Sequence, residues 1–210
     1  AGPLRPCPPL AAAAGPAPAL RRLSRVRIVA GRHRGRRLVA PRGDAVRPTS
    51  DRARAALFDI LEHGEPPLRG ARFLDLFAGT GAVGLEAASR GAADVLLVEN
   101  AREALAAARA NIAALGEGAR VALLAADATR LGRAAEPFDL AFLDPPYGQG
   151  LVPRTLASLA VGGWLGRGAR IIAELGGHEP LAAVPGFAVD DERRYGAARL
   201  VFLRAVTISG

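Results

Sequence analysis

The sequence predicts an α/β fold, a mostly parallel sheet with helices on both faces, preceded by a small N-terminal basic hairpin and helix. Three observations carry this. Short apolar runs recur at 71–77, 93–98, 119–125, 138–143, 168–174 and 199–205, with the length and composition of buried strands. Helical stretches fall between several of them, clearest at 81–90 and 101–115, the second closed by Gly116. Strand and helix alternating in this way is the pattern of parallel pairing through crossover helices.

At 210 residues, half of them hydrophobic, the chain is the size of one domain with a substantial core. The apolar content excludes global disorder, and no run of about 18 apolar residues is present to span a membrane. A single Cys7 forms no internal disulfide, and three histidines build no Cys/His zinc framework, so no metal is expected. His33, His63 and His178 lack ligand spacing and read as surface residues. The expected setting is reducing and cytoplasmic.

The net charge of +8 comes with 28 basic residues, all arginine. A chain with no lysine, two asparagines and one glutamine carries the imprint of GC-rich codons, which explains why the cations are arginine. Codon usage does not explain where they sit. Residues 1–54 hold 13 arginines against Asp44 and Asp51, a net of +11, while residues 55–210 carry a net of −3. Such segregation points to a polyanion docking on the N-terminal part.

Prolines at 3, 6, 8, 9, 16 and 18 defeat both helix and strand, so residues 1–24 are expected to be a disordered leader. Runs at 26–30 and 37–40, set around Gly31 and Gly35, read as a basic hairpin. Thr49 or Ser50 offers an N-cap for a helix running through Ala55, Leu57, Phe58 and Leu61 to Gly64. The expected organisation is therefore a leader, a basic hairpin and helix over 25–66 where the polyanion would dock, and the alternating strand–helix domain over 67–210.

The segment Phe73-Leu74-Asp75-Leu76-Phe77-Ala78-Gly79-Thr80-Gly81-Ala82-Val83-Gly84 is a strand, a glycine turn and a helix start. Gly79, Gly81 and Gly84 match G-x-G-x-x-G, and Glu99 lies 20 residues beyond Gly79. That spacing admits a nicotinamide dinucleotide. Asp75 argues against it, because a carboxylate beside the loop repels a pyrophosphate and favours an ammonium. S-adenosylmethionine carries an amino-acid end, a sulfonium and no phosphate, and fits the acid better. Glu99 then serves the ribose hydroxyls, and Asp127, after the third strand, the adenine amino group.

The fourth strand ends in Asp144-Pro145-Pro146-Tyr147. Two prolines fix the backbone and remove two N–H donors, leaving acceptors beside an aromatic face. Such a site suits a planar group bearing an exocyclic amine. Asp144 and the Pro145 carbonyl hold the amine, and Tyr147 stacks on the base. Catalysis is then chiefly positioning. Glu174, at the end of the fifth strand, admits a functional role but reads first as structural.

In this order the motifs resemble the class I amino-methyltransferases. The flanks narrow the resemblance: Arg27-Ile28-Val29-Ala30-Gly31, Gly35-Arg36, Arg47-Pro48-Thr49-Ser50-Asp51-Arg52-Ala53-Arg54, Ala56-Leu57-Phe58, the run from Leu85 to Ala92, and Arg194-Tyr195-Gly196 are similar to the RsmD family of bacterial 16S ribosomal RNA guanine-N2 methyltransferases. Asp59 departs from the asparagine frequent there. The resemblance covers about residues 25–206 and implies a Rossmann-like, seven-stranded sheet and S-adenosylmethionine as cofactor. Asp75, Phe77, Gly79, Gly81, Glu99, Asn100, Asp127, Ala128 and Asp144 would hold it. Asp144, Pro145, Pro146 and Tyr147 would form the catalytic motif. Arg32, Arg34, Arg36, Arg37, Arg47, Arg52 and Arg54 are the candidates for phosphate contacts, although Arg54 equally fits a structural ion pair. The implied partner is 16S rRNA or the assembling small ribosomal subunit, met by a monomer. The alternatives are methylation of adenine N6 in DNA or of glutamine N5 in a protein.

Overall fold

A computed structural model describes residues 23–41 and 51–206, with the side chains of 23–25 and 51–53 left aside. The expected N-caps Thr49 and Ser50, together with Arg47 and nearly all of the leader, lie outside the described residues.

Two antiparallel strands, β1 (Leu23–Arg27) and β2 (Arg37–Val39), form the N-terminal hairpin and precede helix α1 (Asp51–Glu62). The first strand begins at Leu23, before the expected 26. The body then alternates as β3 (Arg72–Leu76), α2 (Ala82–Arg90), β4 (Asp94–Glu99), α3 (Arg102–Leu115), β5 (Val121–Ala125), β6 (Phe138–Leu143), α4 (Leu151–Gly162) and β7 (Leu165–Gly176). It closes with β8 (Phe187–Tyr195) and β9 (Ala198–Ala205). The seven strands lie in the order β5-β4-β3-β6-β7-β9-β8, the first five parallel and the last two pairings antiparallel. The sheet therefore has the implied seven strands.

Alternation along each strand splits the core between the two faces of the sheet. On one face Phe73, Leu140, Phe142, Ile172, Leu200 and Phe202 pack with α1, α2, α3 and the hairpin residues Val26, Ile28 and Leu38. On the other, Leu74, Ala141, Leu143, Ile171 and Leu203 meet Val152, Leu156 and Leu159 of α4. The hairpin is thus part of the same apolar core as the body.

The strand order reverses between β3 and β6, which are neighbours in the sheet. Ligands of open parallel sheets bind at the carboxyl ends of strands flanking such a reversal. The registers Leu76↔Leu143 and Leu143↔Ala173 bring the ends of β3, β6 and β7 level. Alternation then sets Asp75, Asp144 and Glu174 on the face that carries the hairpin.

Candidate functional site

The site begins with the turn from β3 into α2. Phe77 and Gly79 have φ of 61° and 56°. Phe77 is the positive-φ residue other than glycine among the described residues, a conformation that costs about 1–3 kcal/mol and recurs at ligand sites. A Cβ built on Gly79 meets no heavy atom within 4 Å, so the turn presents bare backbone to open space. Gly84 has the opposite reason. A Cβ there lies 2.2 Å from Leu97 Cδ2 and 3.2 Å from Asp75 Oδ2, so only glycine lets α2 lie this close to β4.

That close approach lets the Gly84 N–H donate to Asp75 Oδ2 at 2.8 Å. Asp75 is buried, and burial pushes its carboxyl up to about 8. The Gly84 bond pulls the other way, while repulsion from Asp144 and Glu99 adds to the rise. Three acids from the ends of three adjacent strands therefore share one field, which a cation relieves.

Glu99 is held by backbone alone. Its Oε2 accepts from Gly79 N–H, and its Oε1 from Asn100 and Ala101 N–H, each at 2.8 Å. One carboxylate thus ties the glycine turn to the start of α3 and keeps lone pairs for a diol. Asp127 is exposed and caps the 3-10 turn Ala128–Arg130, its Oδ1 accepting from Thr129 N–H at 2.9 Å and Thr129 Oγ1–H at 2.8 Å. Those two bonds hold its carboxyl below the usual range.

After β6, the Asp144 N–H reaches the Leu76 carbonyl at 3.4 Å, across the point where the strand order reverses. Pro145 is buried, Pro146 exposed, and Tyr147 is 38% exposed. The Tyr147 hydroxyl donates to Glu174 Oε1 at 2.5 Å, and its ring lies over Gly176, where an added Cβ would sit 3.6 Å from Cγ and Cδ2. The ring is thus fixed at its tip and along one side. Glu174, read as structural from the sequence, is part of this wall.

The basic hairpin is locked to the body by buried polar groups. Glu86, wholly buried on α2, accepts from Val29 N–H at 2.6 Å, Ala30 N–H at 2.8 Å and Arg90 Nε at 2.8 Å. Ser89 Oγ accepts from His33 N–H at 3.0 Å and donates to the Ala30 carbonyl at 2.6 Å. Asn111 on α3 accepts from Val39 N–H at 2.7 Å and donates to the Val39 and Thr80 carbonyls at 3.0 and 2.9 Å. It was not singled out from the sequence. Its signal is its place in the buried stripe Ala104, Leu105, Ala107, Ala108, Ile112 and Leu115, where a polar side chain must find partners.

The arginines divide accordingly. Arg34 and Arg37 are exposed. Arg32 pairs with Glu117 at 2.7 Å, and Arg36 donates to the Ala114 carbonyl at 2.8 Å near the end of α3. The Arg52 side chain lies outside what is described. Of the two readings of Arg54, the structure favours the ion pair over the phosphate contact: it is 1% exposed, donates to the Arg27 carbonyl at 2.6 Å and lies 4.0 Å from Glu86. Its guanidinium is engaged within the fold. His33 is corrected, since its Nε2 lies 2.5 Å from Glu117 Oε1 with the side chain 15% exposed.

The family described as conserved hypothetical protein 95 matches residues 26–204. The chain is 38% identical over 160 residues to the ribosomal RNA small subunit methyltransferase D of Escherichia coli strain K12, covering 76% of this chain and 79% of that protein. The protein of the same name from Haemophilus influenzae is 32% identical over 175 residues, 81% of this chain and 89% of its own. Among solved structures, a putative methyltransferase yhhF from E. coli superposes with a TM-score of 0.75 at 34% identity, over 86% of this chain and 98% of that one. A match along nearly the whole described chain, together with 38% identity across three quarters of it, leaves one conclusion: the chain belongs to the RsmD family of methyltransferases.

Proposed function

We propose that this chain transfers a methyl group from S-adenosylmethionine to the exocyclic N2 amine of a guanine in 16S rRNA, acting in the cytoplasm on the RNA or the assembling small subunit. The observation that carries it is the alignment of Asp75, Glu99 and Asp144 at the ends of β3, β4 and β6 around a bare glycine turn. Their mutual repulsion calls for a cationic ligand and disfavours a diphosphate. S-adenosylmethionine fits, with Asp75 facing its ammonium, Glu99 its ribose hydroxyls and Asp127 its adenine amine. Phe77, Asn100 and Ala128, close to these acids along the chain, would complete the cofactor's surroundings. When bound, it supplies an electrophilic methyl on a sulfonium.

The remaining work falls to the chain itself. Asp144 and the Pro145 carbonyl accept hydrogen bonds from the two amine hydrogens, one of which is lost as a proton once the N–CH3 bond forms, and direct the nitrogen lone pair away from themselves. Tyr147, braced by Glu174, gives the base a flat wall. Positioning of this kind supplies most of the rate, because the reaction needs no covalent help from the protein. Arg34 and Arg37, exposed on a hairpin fused to the same face, receive the RNA phosphates.

The test is methyl transfer from labelled S-adenosylmethionine to 16S rRNA or small subunits taken from cells that lack the gene. Label in a guanine N2 position supports the reading. Label appearing in DNA or in a protein glutamine instead establishes one of the alternatives.

A further inference from the structure

Glu174 has one oxygen occupied and one to spare. Its Oε1 accepts the Tyr147 hydroxyl at 2.5 Å, whereas no described residue donates to Oε2. The residue is 7% exposed, yet Oε2 is not among the closed-off side-chain atoms that lack a partner, so it stands open to a ligand at the strand end. Its surroundings say which ligand. Glu174 follows Ala173, which pairs in parallel with Leu143, so it stands beside Asp144 at the end of the neighbouring strand. Alternation sets both on one face of the sheet. Neighbouring strands lie about 4.8 Å apart, so the two carboxylates form a short row of acceptors.

The row matches a row of donors. The edge of guanine presents its N2 amine and, next to it, the N1–H. Adenine presents a lone pair at N1, as does 2-aminopurine, which keeps the 2-amine but lacks the N1 proton. Resting on the guanine reading above, we propose that Glu174 Oε2 accepts the N1–H of the target base while Asp144 holds its N2 amine. Glu174 thereby sets specificity for guanine. The Tyr147 hydroxyl has a second purpose in this arrangement: it occupies Oε1 and fixes the carboxylate so that Oε2 meets the base edge.

The experiment compares guanine with 2-aminopurine at the mapped target position of 16S rRNA ligated from synthetic fragments and reconstituted into small subunits. Wild-type protein is expected to favour guanine in kcat/KM by about a hundredfold or more, as sites built around a substrate N–H do. Glu174→Gln keeps an acceptor for Tyr147 and can turn an N–H toward N1. The guanine to 2-aminopurine ratio should then fall by at least about tenfold. A residue that merely positions Tyr147 would lower both substrates in proportion, and a ratio unchanged from wild type overturns the assignment. Should Glu174→Gln fail to fold, the wild-type ratio decides alone, since a value near one overturns it as well. Wild-type protein that methylates no guanine of the small subunit overturns the functional reading itself, and is told apart by its silence on both templates.

Discussion

Asn111 hydrogen-bonds Thr80 and Val39 through one side chain, joining the cofactor turn to the N-terminal hairpin. Its amide mimics a strand partner for Val39 while its remaining proton steadies the carbonyl in the middle of the glycine loop. Hairpin and loop therefore share a support on α3, and disturbance of either is felt at the other. Asn111→Leu keeps similar bulk and removes all three bonds. Leaving three such groups unpaired costs about 3 kcal/mol, and a chain of this size loses about 2–4 °C per kcal/mol. Thermal unfolding should register that loss, and calorimetry should show weaker S-adenosylmethionine binding. A lowered Tm with unchanged affinity would refute the link to the loop.

Asp75 makes cofactor binding depend on pH. Its carboxyl is raised to about 8 by burial first, against 3.8 for an ordinary aspartate, so at pH 7 the free protein holds a proton there. An ammonium beside it favours the ionised form. Binding therefore expels a proton, and affinity should climb with pH toward 8, approaching tenfold per unit well below that value, then level off. The same shift works against the fold. Between about 4 and 8 the folded state holds a proton that the unfolded state has lost, so this group's contribution to stability falls with rising pH and is flat above 8. Calorimetry in buffers of contrasting ionisation enthalpy measures the released proton directly, and Asp75→Asn should abolish the release.

Asp144 should act on turnover more than on RNA binding. Asp144→Asn keeps the shape but replaces one acceptor oxygen with a donor, which faces the amine proton to be held. Loss of orientation and charge complementarity at a reacting centre typically costs about 10²–10³ in kcat. Single-turnover assays at saturating RNA should show that loss with RNA affinity nearly unchanged. Full activity in this variant would remove Asp144 from the chemistry.

Patterns confined to a few neighbouring residues were readable from the chain itself: the glycine turn, Asp75, Glu99 and the Asp144-Pro145-Pro146-Tyr147 exit each carry their own local reason. What stayed undecided depends on partners far along the chain. Arg54 is an ordinary arginine until Glu86, 32 residues later, is folded beneath it. Glu174 finds its hydrogen-bond partner in Tyr147, 27 residues earlier. Strand β8 lacks an apolar run because it is the sheet edge, and its acids instead meet β9 through Glu192 with Arg199 at 2.9 Å and Asp190 with Arg204 at 3.0 Å. Helix α4 starts at a left-handed Gly150 with no side-chain cap and carries Pro153 in its first turn, so the usual start signal is missing.

The arginines of the N-terminal segment should separate into two experimental classes. Arg34 and Arg37 are exposed, and replacing either with alanine removes a charge without unpairing a buried group. RNA binding should weaken for every sequence alike, with the slope of log affinity against log salt shrinking by roughly one per lost phosphate contact, and Tm should hold within about 1 °C. Arg54→Ala is the reverse case. It removes the bond that Arg54 donates to the Arg27 carbonyl and leaves Glu86 with Arg90 as its remaining close cation among the described residues. Breaking a buried ion pair from one side costs about 3–5 kcal/mol, which is a Tm loss of roughly 6–20 °C. The salt slope of whatever folds should match wild type, because this guanidinium is buried and engaged within the fold. An Arg54→Ala protein with a wild-type Tm and a reduced salt slope would return Arg54 to the RNA-binding set.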